Sequence, residues 1–129
     1  MGAEAEVLDA NKRLLAAVGA GDWATYATLS TDDATCVEPE TSGHVVSGLS
    51  FHKHFFDLGK TAPPPPAGTP PTNNVIASPH VRMLGPDHAL VVYVRVTQSA
   101  GKVTTANETR LWKRVGGMWK NVHFHRSKL

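Results

Sequence analysis

A chain of 129 residues, 41% hydrophobic and 19% charged, has the balance of one globular domain and not of a disordered tail. The formal net charge of +2 comes from scattered lysines and arginines, which leaves no basic stripe for nucleic acid. The single cysteine, Cys36, excludes an internal disulfide framework and fits a reducing compartment.

The opening Met1–Glu6 stretch is acidic and runs straight into a helical pattern, so no secretory signal is expected. Glu6 occupies the place where a myristoylation motif needs Ser or Thr. No run approaches the roughly eighteen consecutive apolar residues that a membrane span requires. A cytoplasmic protein is the expectation.

Val7, Leu8, Asn11, Leu14, Leu15 and Val18 recur at helical spacing, with Asn11 the one polar member of the stripe. Gly19-Ala20-Gly21 supplies a stop, and Asp22 caps a short second helix from Trp23 to Leu29. A strand is predicted at 34–37, a shorter one at 44–47, and a third helix through Phe51, Phe55 and Leu58 that ends at Gly59. Residues 61–74 hold six prolines and no apolar period, which predicts a solvated, extended loop; Pro63–Pro66 could alternatively dock in a proline-binding groove.

From Val75 the period becomes two. Strands are predicted at about 75–84, 89–99, 103–115 and 119–127, parted by Gly85-Pro86-Asp87, Ala100-Gly101 and Gly116-Gly117. Connections this short make an antiparallel meander, and helices followed by a meander make an α+β layer. A two-residue Ala100-Gly101 turn sets Tyr93 opposite Glu108, Val91 opposite Arg110 and Ala89 opposite Trp112. One face then carries Tyr93, Trp112, Arg95, Glu108 and Arg110, as a cavity half-covered by helices would. The other carries Leu90, Val92, Val94, Val96 and Leu111, with no helix left to cover it, which marks a protein interface.

The last hairpin has two solutions. A two-residue Gly116-Gly117 loop sets Arg110 opposite His123. A three-residue loop with a bulge sets Glu108 opposite Arg126 and Arg110 opposite Phe124. The second is preferred because it gathers Arg95, Arg110 and Arg126 around one partly buried carboxylate.

Phe51-His52, Ser78-Pro79-His80, Tyr93–Gln98, Glu108–Trp112 and Val122–Ser127 resemble the association (hub) domain of calcium/calmodulin-dependent protein kinase II. Val37–Glu40, Gly48-Leu49 and Gly19–Asp22 match it as well, so the similarity runs in order along nearly all of residues 1–129, one domain. The resemblance implies a nuclear transport factor 2-like cone, a long N-terminal helix packed in a curved antiparallel sheet. It implies homo-oligomers of about ten or more copies in two stacked rings, with convex sheet faces meeting. It also implies a concave pocket in which Arg95, Arg110 and Arg126, with His52, accept small carboxylates. The proline-rich segment departs from the family, as Lys60 stands roughly where the animal kinases carry a tryptophan. No kinase motif appears, so the chain is an excised hub or a freestanding one, and its partners are copies of itself and a kinase domain in cis or hub-bearing kinases in trans. Calmodulin binding belongs to the full-length family only.

Three arginines against Glu108 alone would leave the pocket near +2, which favours an entering anion. The rival expectation is a small-molecule-binding protein or an isomerase- or dehydratase-like enzyme on the same fold, with Glu108, His52 or His80 as base. Neighbouring arginines favour the charged form of Glu108, and no carboxylate stands out to orient His52. No catalytic residue, metal or cofactor is therefore expected. His123 and His125 share a face at strand spacing and are assigned to the oligomer interface with Leu90, Val92, Val94 and Val96.

Overall fold

The computed structural model describes residues 2–129. Three helices and six strands follow in order: α1 (Ala3–Ala20), α2 (Trp23–Thr28), β1 (Ser30–Val37), β2 (Val46–Ser47), α3 (Ser50–Thr61), β3 (Asn73–Gly85), β4 (His88–Ser99), β5 (Lys102–Val115) and β6 (Met118–Lys128). A single 3₁₀ turn, Pro39–Thr41, lies between β1 and β2. The strands form one sheet in the order β2-β1-β6-β5-β4-β3.

The predicted stripe of α1 is the centre of the core. Val7, Leu14 and Leu15 of that stripe, joined by Ala10, are buried against Ala89, Val91, Tyr93 and Trp112 of the sheet, while Leu8 and Val18 are partly buried at its margin. Asn11 is fully buried, and its Oδ1 accepts a hydrogen bond from Trp112 Nε1 at 3.0 Å, which satisfies the indole inside the core. Gly21 closes α1 in the left-handed conformation (φ 68°), and the Asp22 carboxylate accepts from the Thr25 backbone N–H at 3.1 Å to start α2.

Three expectations are corrected. The sheet is mixed: β1 runs parallel to β6, pairing Val37 with His125 and Cys36 with Phe124, because α2 delivers Ser30 beside Asn121, whose N–H bonds Leu29 C=O at 2.7 Å. α3 passes through Gly59 and stops at Thr61. Pro63 provides the physical stop, since its ring excludes the helical conformation from Ala62, which sits at φ −67°, ψ 148°. The last hairpin turns through two residues, Gly116-Gly117, both at positive φ, yet Glu108 still faces Arg126 and Arg110 faces Phe124. The extra residue lies farther along, between Leu111↔His123 and Trp112↔Asn121, so Val122 is the bulge.

The β4–β5 hairpin keeps the expected register, including Tyr93↔Glu108 and Ala89↔Trp112 across Ala100-Gly101. A second bulge interrupts β3 between Ala77 and His80, where Ser78 takes φ 50° and Pro79 needs no ladder partner for its missing N–H.

Candidate functional site

A concave cavity of about 230 Å³ opens between α3 and the sheet, and all three predicted arginines line it. β4 supplies Arg95, β5 Glu108 and Arg110, β6 Arg126, and α3 His52. The register explains the grouping: Tyr93, Glu108 and Arg126 form one cross-strand row, and Val91, Arg110 and Phe124 the next.

Glu108 is inaccessible to solvent and holds the deep end. Its Oε2 accepts from Arg95 Nη1 at 2.9 Å, and its Oε1 accepts from the Tyr93 hydroxyl and lies 3.7 Å from Arg110 Nη2. Arg110 is buried as well. It donates to the Tyr93 oxygen at 3.0 Å and to Asn121 Oδ1 at 3.3 Å, and its guanidinium lies 3.9 Å from the Phe124 ring centre. Burial works against its charge, but Tyr93, Glu108 and Tyr26 outweigh that and raise its pKa. Burial pushes the Tyr93 hydroxyl up to about 12; Arg110 opposes the rise and Glu108 adds to it. Arg95 completes its shell with Asn74 Oδ1 and Thr97 Oγ1, each at 3.2 Å.

The expected excess of two positive charges does not exist. Arg126 donates to Glu40 and lies 3.9 Å from Glu38, so three arginines face three carboxylates, Glu38, Glu40 and Glu108. Glu108 and Arg126 face one another across the strands, but the arginine turns away from it. The two missed acids follow β1 and flank Pro39, and the parallel β1–β6 pairing brings them to Arg126; an antiparallel expectation could not place them there. Burial alone would raise the pKa of Glu40, but the hydrogen bond from Arg126 prevails and lowers it. Glu38 also supplies the carboxylate the sequence left unnamed for His52, at 3.3 Å from its Nε2. Tyr26, Phe51 and Phe124 surround that imidazole with ring centroids at 5.6, 5.5 and 6.0 Å.

The opposite sheet face carries the predicted aliphatic stripe. Ala89, Val91 and Tyr93 are buried under α1, whereas Leu90, Val92, Val94 and Val96 point the other way and stay half-buried. The stripe is one strand wide: on β5 its neighbours are Leu111, Thr109, Asn107 and Thr105. His123 and His125 lie on this face too. His123 Nδ1 and Thr35 Oγ1 are 2.7 Å apart, while His125 is exposed. Burial, and then the charge of His125, lower the His123 pKa. His80 is exposed beside Val92, on the sheet face opposite the pocket. No helix among the described residues is long and apolar enough to cross a membrane.

A family profile described as "Calcium/calmodulin dependent protein kinase II association domain" matches residues 3–129. The delta subunit of calcium/calmodulin-dependent protein kinase type II from Oryctolagus cuniculus is 35% identical over 95% of this chain, which spans 23% of that relative's length. Among solved structures, the kinase II hub homology domain of Chlamydomonas reinhardtii is 46% identical, with a TM-score of 0.92 over 100% of this chain and 99% of the other. The hub of S. rosetta is 39% identical, with a TM-score of 0.84 over 100% and 98%. At the level of fold alone, a nuclear transport factor 2-like protein from Cytophaga hutchinsonii superposes over 100% of both chains at 22% identity and a TM-score of 0.79.

Proposed function

We infer the function from the family: the chain belongs to the calcium/calmodulin dependent protein kinase II association domain family. On that premise it is a self-association module, a hub whose copies close into a homo-oligomer of about ten or more chains in two rings. The observation that carries this reading is the half-buried Leu90, Val92, Val94 and Val96 stripe on the sheet face away from α1. The partners are further copies, and kinase domains in cis or hub-bearing kinases in trans, in the cytoplasm. The chain itself contributes no catalytic step. Light scattering coupled to size exclusion should show a mass many times 13.8 kDa at micromolar concentration. A monomer or simple dimer would sink the hub reading.

The cavity supports a second reading, a site for small monocarboxylates, and Arg126 is the observation that favours it. Its side chain is 18% exposed and its partner Glu40 36%, so an entering carboxylate can take the place of Glu40 at the mouth. An exchange of one carboxylate for another gains little, which limits affinity to the millimolar range or near it. Glu40→Gln removes the competitor and should tighten binding by about tenfold, since one charge-assisted contact carries at least about 1.5 kcal/mol. Arg126→Ala should abolish it. Calorimetry with a short carboxylate and its amide checks both, and equal binding of acid and amide would leave the arginines a structural network. The His52–Glu38 pair adds what an enzyme reading lacked, but Glu38 also faces Arg126 and Glu108 is held by Tyr93 and two arginines. That arrangement suits anion binding better than proton transfer.

A further inference from the structure

We propose that Cys36, Glu38 and His52 form a binding site for a divalent ion of the zinc class beside the concave cavity, with its fourth coordination position on the cavity side. The Cys36 sulfur, a Glu38 carboxylate oxygen and a His52 ring nitrogen all lie within 4.8 Å of one another. Cys36 and Glu38 stand two apart at the end of β1 and project to the same side, and His52 meets them from the first turn of α3. A tetrahedral centre with a sulfur ligand at about 2.3 Å and nitrogen and oxygen ligands at about 2.0–2.2 Å needs donors roughly 3.3–3.8 Å apart. His52 and Glu38 already meet that spacing at 3.3 Å. The thiol, within 4.8 Å of both, has to close in by at most about an ångström.

The charge of this donor set suits a divalent ion. An ion replaces the thiol proton, which leaves to solvent, and a thiolate, a carboxylate and a divalent cation then sum to zero. Arg126 gives up its 3.9 Å approach to Glu38 and keeps Glu40. Tyr26, Phe51 and Phe124 hold the imidazole plane in place. One thiolate with an imidazole and a carboxylate selects zinc or cobalt over calcium and magnesium, which take oxygen alone. Both Glu38 and His52 line the cavity, so an incoming water or carboxylate has access to the fourth position.

Cobalt(II) reports the ligands directly. Titrated into the reduced, assembled protein in a non-coordinating buffer, it should bind one ion per chain and develop a near-ultraviolet sulfur-to-cobalt charge-transfer band, reversed by zinc. Cys36→Ser should lose the band while keeping its metal-free melting temperature. His52→Gln should keep a weaker band and bind less tightly. The double variant His123→Ala/His125→Ala, on the far sheet face, should still bind one ion per chain with the same sulfur band, whatever its assembled mass. No sulfur band in the parent, or one that persists in Cys36→Ser, would overturn the proposal, as would binding that vanishes only with His123 and His125.

Discussion

Val94→Glu should dissolve the assembly into small, folded species. Val94 lies mid-stripe on β4, paired with Ala77 on one side and Asn107 on the other, so no cation stands ready to compensate a carboxylate. In the isolated chain the position is only half-buried, and a glutamate there can reach water; the fold should persist. Between two copies the same group would lose its water without gaining a partner, at a cost of several kcal/mol per contact. A ring repeats that cost at each paired face, so a modest loss per contact becomes a complete loss of closure. Val92→Glu is the less clean test, because His80 sits beside it and could pair with the new charge. Val45→Glu, in a loop and 67% exposed, is the control that should leave the mass unchanged. Light scattering reads the outcome, and circular dichroism checks that the chain is folded. An assembly of undiminished mass in Val94→Glu would place the interface elsewhere.

Much of this architecture was legible because the meander is local. Two-residue turns and strict alternation set Tyr93 against Glu108 and put Leu90 and Val91 on opposite faces, and the structure keeps that register. The α1 stripe was legible for the same reason, down to buried Asn11, although nothing in the sequence named Trp112 as its partner. What escaped was non-local. The parallel β1–β6 ladder joins residues almost ninety apart, and no period reports such a pairing. Glu38 and Glu40 therefore went unplaced, and with them the neutral charge balance of the pocket. The bulge at Val122 shows a subtler limit: the register at Arg110 and Arg126 was right, but it was attributed to the turn. A glycine pair fits a two-residue loop so well that the extra residue had to fall inside the strand, where the sequence carries no mark of it.

Glu108→Ala should cost the fold about 3–5 kcal/mol, the range for stripping one partner from a buried ion pair. The carboxylate is fully buried, and its two oxygens serve Arg95, Arg110 and the Tyr93 hydroxyl together. Its loss leaves the buried Arg110 with only the Tyr93 oxygen, Asn121 and the Phe124 face, and a charge that burial opposes. Arginine cannot escape by losing its proton, so the penalty falls on stability. Glu108→Gln keeps an acceptor for Tyr93 and the guanidinium groups and should cost less than the alanine. Adding Arg110→Met to Glu108→Gln removes the stranded cation, and the double variant should recover part of the loss. Urea unfolding of each variant, run in the Val94→Glu background so that dissociation does not enter the midpoint, gives the coupling directly. The assembled mass at low temperature should not change with Glu108→Ala alone, because the network lies on the face away from the aliphatic stripe. A loss below about 1 kcal/mol would mean that water enters the cavity and solvates Arg110 where Glu108 had been.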